Sequence, residues 1–75
     1  MKGGELMKNK KIVYANIEAE RVRKRLTQTE LSAALGVSSR TYYNWQQGEN
    51  EIPASKLLNM ANLFNCSIDY LLQTD

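Results

Sequence analysis

An all-α fold of five short helices, two of them joined as a helix-turn-helix, is the architecture this sequence predicts. Three observations carry that expectation. Between residues 13 and 72 apolar side chains recur at the three- and four-residue spacing of helices, and no stretch alternates as a half-buried strand would. Residues that start helices (Thr27, Ser38, Ser67) stand ahead of those runs, and residues that stop them (Gly36, Asn65) stand behind. The segment 26–48, LTQTELSAALGVSSRTYYNWQQG, then fits two helices and a glycine turn into a short length of chain.

Taken in order, residues 1–11 are polar, carry Gly3-Gly4 and show no period, so a disordered leader is expected ahead of one domain over 12–73. The first helix is expected over 13–25, with Ile17, Arg21 and Val22 turned inward. The second is expected over 28–35. Its capping box is Thr27 with Glu30, each side chain satisfying an amide that the helix leaves without a partner. Leu31 and Leu35, one turn apart, share its inward face. Gly36 supplies the left-handed residue that ends it, and Val37 enters the core at the corner. Ser38 caps the third helix, expected over 39–47. After a polar loop over 48–51, Pro53 falls in or near the first turn of the fourth helix, where its missing amide costs nothing. Leu57, Met60, Ala61 and Phe64 give that helix one apolar face, and Asn65 takes the left-handed cap. Ser67 caps a short fifth helix with Asp69 in its first turn and Ile68, Leu71 and Leu72 as apolar contacts.

Composition narrows the function classes. At 75 residues, 43% of them hydrophobic, the chain can build one small core with little margin. Cys66 is the single cysteine, so no internal disulfide forms, and it reads as a small buried hydrophobe. There is no histidine and no paired-carboxylate cluster, which removes most metal sites and most general acid–base chemistry. No metal, no cofactor and no enzymatic activity are expected. No apolar run approaches the roughly 20 residues of a membrane span, and no signal-peptide core is present. The net charge of +2 is unevenly spread. Arg21, Arg23, Lys24, Arg25 and Arg40 face only Glu30 between residues 21 and 45, whereas Glu49, Glu51, Asp69 and Asp75 outnumber Lys56 beyond. A basic half suits a polyanion; a charge run of this size is also compatible with a merely solvated helix.

The third helix tips that balance. Val37, Tyr42 and Trp45 are bulky and belong inward, with Thr41 at the boundary. Ser39, Arg40, Tyr43, Asn44 and Gln47 then fall on the opposite face. A helix about 10–12 Å thick enters a DNA major groove about 12 Å wide. There Arg40 can donate two bonds to guanine, and Asn44 can pair with adenine through two. Tyr43 is placed either to lie against a thymine methyl or to reach a phosphate. Gln28 opens the second helix, where its amide and side chain can clamp a phosphate. Ser38 can do the same at the third helix, and Gln47 is counted with these phosphate contacts. Arg23 and Lys24, with the tail lysines Lys10 and Lys11, suit looser electrostatic contact.

The pattern L-T-Q-x-E-L-[SA]-x-x-L-G-V-S, followed by Trp45 and Gly48, resembles the XRE-like helix-turn-helix family of phage Cro and lambda-type repressors. The resemblance runs on through Pro53 and the 57–72 region and so covers residues 12–73. It implies a five-helix lambda-repressor-like DNA-binding domain, base contacts at the positions of Ser39, Arg40 and Asn44, and a phosphate clamp at Gln28. Two positions depart from the family's pattern. The arginine matching Arg21 is commonly paired with a glutamate after the tryptophan, and Gln46 stands there instead. A neutral hydrogen bond from Arg21 to Gln46, or a detour to Glu30, is therefore expected. Tyr42 replaces a smaller aliphatic residue, and its hydroxyl must find a partner or water.

The resemblance further implies a stand-alone transcriptional regulator akin to a small Cro or prophage repressor. Its partner is a double-stranded DNA operator, read as a homodimer with half-sites about 34 Å apart. Such a protein works in the cytoplasm of a bacterial or phage-infected cell, at the nucleoid. The acidic, apolar C-terminal segment is the expected dimer surface, through Tyr70, Leu71 and Leu72, with at least one leucine completing the core. Two other classes compete: a protein-interaction module of the antitoxin or anti-repressor-binding type, and a nonspecific nucleoid binder. An anti-repressor protein and RNA polymerase are further candidate partners; a membrane is not. The polar, amide-bearing third helix favours sequence reading over bulk charge attraction. Finally, Lys2-Gly3-Gly4 can be encoded by a bacterial ribosome-binding sequence, and Met7 follows at a suitable distance. The natural product is expected to begin at Met7; an intact mass that starts at Met1 would overturn this.

Overall fold

Five helices appear in the computed structural model, which describes residues 13–73: α1 (Ala15–Arg23), α2 (Gln28–Leu35), α3 (Ser39–Gln46), α4 (Ala54–Phe64) and α5 (Ile68–Leu72). No strand occurs among the described residues. The leader expected over 1–11, with Met7, Lys10 and Lys11, lies outside them. The helices are shorter than those expected from periodicity only at α1 and α3. At both C-terminal ends one further amide bonds four residues back, Lys24 to Glu20 and Gln47 to Tyr43, before Arg25 and Gly48 bond three back and the helix closes.

Local chemistry sets each boundary. Thr27 and Glu30 close both bonds of the capping box, Glu30 N–H donating to Thr27 Oγ1 at 3.0 Å and Thr27 N–H to Glu30 Oε1 at 2.8 Å. Ser38 and Ser67 accept from the amides of Thr41 and Tyr70 at 3.1 and 3.0 Å. Such caps are worth about 1 kcal/mol each, a large share for helices of two turns that would not hold in isolation. Gly36 and Asn65 end α2 and α4 in the left-handed region, as their positions predicted. Pro53 is the N-cap of α4, just ahead of its first turn. Behind α2, Lys56 of α4 donates to the Leu35 carbonyl at 2.7 Å, placing a cation on a helix C-terminus.

Ten apolar side chains form the core: Ile17, Leu31, Leu35, Tyr42, Trp45, Ile52, Leu57, Met60, Phe64 and Leu71. Burial of each contributes about 1.5–3 kcal/mol. Tyr42 and Trp45 meet edge to face with centroids 6.5 Å apart. Val37, Ala61, Cys66 and Ile68 pack against this core half-buried, so Cys66 behaves as a small hydrophobe at its margin.

One inward assignment on α1 is corrected. Val22 is 61% exposed, because five residues on from Ile17 it has turned about 140° away from the core. Glu20 is buried instead, facing α5. There it accepts from the Tyr70 hydroxyl at 2.9 Å and from Arg23 at 2.8 Å, while Asn16 donates to the Tyr70 carbonyl at 2.8 Å. Polar bonds thus strap α5 onto α1.

Gly48 closes α3 with φ +76°, and a Cβ built there would lie 2.8 Å from Val13 Cγ2. Val13 has little room to yield: its side chain is stiff and its amide is tied to the Gln46 carbonyl at 2.8 Å. At Gly36 (φ +73°) the nearest atom would be Lys56 Nζ, at an ordinary 3.7 Å. Both alanine variants bear the strain of a left-handed residue, about 1–2 kcal/mol, and Gly48→Ala adds a clash. Denaturant melts should therefore rank Gly48→Ala as the more destabilised; equal losses would discount the Val13 contact.

Candidate nucleic-acid interface

The turn Gly36–Ser38 delivers α3 with one side against the core and the other to solvent. Tyr42, Trp45 and Gln46 are buried. Ser39, Arg40 and Tyr43 are exposed, and Asn44 is half-buried along the same outer side. These residues meet on one helix face, with Tyr43 presenting 46% of its surface. Ser39 Oγ also approaches Thr29 Oγ1 at 3.4 Å, so the N-terminal ends of α2 and α3 lie side by side.

The other expected contacts divide. Gln28 is exposed at the first position of α2. Thr27 serves the Glu30 amide, which leaves the amides of the first helical positions open toward solvent. Ser38 is exposed, but its oxygen is committed to capping, accepting from Thr41 N–H and sharing a 3.0 Å bond with Thr41 Oγ1. Gln47 is less free than the outer face expected for it: it is half-buried as the C-cap of α3, with its carboxamide oxygen withdrawn from solvent. Lys24 and Arg23 are exposed, yet Arg23 spends part of its charge on Glu20, which lies well inside. Of the expected dimer residues, Leu71 is fully buried and belongs to the core. Tyr70 is half-buried with its hydroxyl on Glu20, and Leu72 is 39% exposed.

The expected partners of Arg21 are also corrected. It donates through Nε and a terminal nitrogen to both oxygens of Glu18, at 3.1 and 2.8 Å, and through its other terminal nitrogen to the Leu26 carbonyl at 2.5 Å. Glu30 instead accepts from the Thr27 amide in the capping box. Gln46 loses to a charged acceptor one turn away on the same helix, since a bidentate charge-assisted pair outweighs a neutral amide. Tyr42 finds its partner in the same carboxylate, donating to Glu18 Oε2 at 2.5 Å.

Glu18 was not foreseen from the sequence, although two signals pointed to it. It stands three residues before an inward arginine, and a tyrosine on the buried face of α3 required an acceptor. Burial pushes its carboxyl up, but the bonds from Arg21 and Tyr42 and the charge of Arg21 outweigh this and hold it below 4.5. Burial and the adjacent carboxylate push the Tyr42 hydroxyl up. On the α5 side, the Arg23 and Tyr70 bonds hold Glu20 low.

Among the described residues no group of side chains could hold a metal ion, and no helix is long and apolar enough to cross a membrane. What the fold builds is two short helices at a steep turn, the second offering a guanidinium and a carboxamide outward. This is a helix-turn-helix domain. The family model described as "Helix-turn-helix" matches residues 17–71, and the chain belongs to that family, of the XRE type.

The chain is 33% identical over 58 residues to the uncharacterized HTH-type transcriptional regulator YqaE of Bacillus subtilis, covering 77% of this chain and 50% of that protein. It is 31% identical over 67 residues to repressor protein C2 of Salmonella phage P22, covering 89% of this chain and 31% of that one. It therefore spans half or less of these relatives. The crystal structure of the P22 c2 repressor with synthetic operator 9T superposes with a TM-score of 0.72 at 31% identity, over 87% of this chain and 98% of that chain. The solution structure of the DNA-binding domain of the same repressor gives 0.69 at 31% identity, over 85% and 84%.

The depressed Glu18 carboxyl links the network to pH. A carboxyl held low in the folded state adds stability above its unfolded value, and that stability is lost as the pH falls through the folded one. Below pH 4.5 the melting temperature of the native chain should fall more steeply than that of Glu18→Gln. Parallel curves in thermal melts would show that Glu18 carries no such linkage.

Proposed function

We propose that this chain, by family and fold a sequence-specific DNA-binding transcriptional regulator, acts as a short repressor of the Cro or prophage type. In this reading it binds as a homodimer to an inverted-repeat operator. One observation carries the proposal: α3 turns an exposed, largely uncharged polar face outward beside the open amides of α2. Arg40 and Asn44 there have the donors and acceptors to read base edges, with Ser39 and Tyr43 beside them. Gln28 and the exposed Lys24 supply positioning contacts to phosphates. A double-stranded DNA partner is supported by the superposable P22 c2 repressor, which was crystallised in complex with synthetic operator 9T. For the dimer, Leu72 is the exposed apolar candidate at the end of α5, with Leu71 given over to the core.

Incubating the chain with a randomised duplex pool near physiological salt should enrich an inverted repeat. On the selected duplex, Arg40→Ala or Asn44→Ala should cost about 1–3 kcal/mol and relax preference at one base position. Lys24→Ala should weaken all sequences alike. A pool that stays random would overturn sequence reading and turn the search to a protein partner; an Asn44→Ala protein with intact preference would overturn the residue assignment.

A further inference from the structure

Two polar side chains lie one turn apart on the buried side of α3, and they fare differently. The Tyr42 hydroxyl reaches across to Glu18 of α1. The Gln46 carboxamide is 2% exposed, and neither its oxygen nor its nitrogen has a partner among the described residues. Among those residues the Tyr42–Glu18 bond is the only side-chain hydrogen bond joining α1 to α3. Apolar packing confines α3 through shape, and the hydroxyl–carboxylate bond adds a directional restraint on its rotation.

We propose that Glu18 is a positioning residue for DNA reading: through Tyr42 it sets the rotation of α3 about its axis, and with it the aim of Arg40 and Asn44. The inference rests on the reading that α3 enters the groove. Arg40 and Asn44 each stand two residues from Tyr42, about 200° around the helix, so Tyr42 is the rear anchor for both. A roll of about 10° moves a side chain at the roughly 5–6 Å helix surface by about 1 Å, more than a bidentate bond tolerates. The anchor is itself fixed. Arg21 grips both oxygens of Glu18, and the same guanidinium holds the Leu26 carbonyl, directly before the capping Thr27 and the exposed Gln28. One network therefore ties the entry of α2, which meets the phosphate, to the setting of α3, which meets the bases.

Tyr42→Phe keeps the ring and deletes the bond. Its affinity for the selected duplex should fall roughly tenfold, while that for a scrambled duplex stays within about twofold, as expected when base contacts alone are lost. Glu18→Gln should shift the same ratio in the same direction, and it carries the test if Tyr42→Phe fails to fold. The double variant should lose no more than the worse single. A lowered melting temperature with an unchanged selectivity ratio would overturn the proposal, as would equal loss on both duplexes. If the native chain does not discriminate between the duplexes, sequence reading itself fails, and that arm alone identifies this outcome.

Discussion

A carboxylate largely withdrawn from water must find donors for its oxygens, and the donors that Glu18 finds join α1, the entry to α2 and α3 in one network. Arg21 fills both oxygens from within α1 and passes on to the α1–α2 corner, while Tyr42 arrives from α3. Removing any one partner leaves the others with unmet bonds in a half-buried setting, so the group behaves as a unit. The glutamate that the resemblance led one to expect on α3 is an uncharged Gln46, and the carboxylate that pairs with Arg21 is Glu18 of α1 itself. In this chain the link between the first and third helices runs from Tyr42 to a carboxylate of α1.

Around that centre, the helix ends add to the stability that the buried core supplies. Helices of eight residues cannot survive on their own ladders. The capping box, the two serine caps and the left-handed Gly36 and Asn65 satisfy their termini, and Lys56 reaches across from α4 to finish the exit of α2. The α2–α3 pair is therefore held by α1, through the Leu26 carbonyl and Tyr42, and by α4, through the Leu35 carbonyl.

The elements that local rules govern were legible in the chain itself. Thr27, Gly36, Ser38, Asn65 and Ser67 each act on amides or carbonyls within a few residues, so their roles follow from spacing. The division of α3 into buried Tyr42 and Trp45 and exposed Ser39, Arg40 and Tyr43 follows from its period for the same reason. What escaped was decided by distant partners. Glu20 takes an inward place on α1 because Tyr70, fifty residues on, brings a hydroxyl to it, and the apolar Val22 is left in water. Arg21 turned to Glu18, a carboxylate one turn away on its own helix that offers both oxygens, a pairing the motif around Trp45 does not announce. Gln47 lies where the helix becomes a cap, and there periodicity ceases to define a face.

The bonds that fasten α5 to α1 have an architectural consequence. Asn16 and Tyr70 touch, although nearly the whole domain lies between them in sequence. The polypeptide therefore enters and leaves this unit at neighbouring points. A unit with adjoining ends is readily embedded: it can be appended to another domain, set as an insert within one, or permuted around its own loops without rebuilding its interior. Such geometry suits a unit whose counterparts make up about half and about a third of the relatives that carry them.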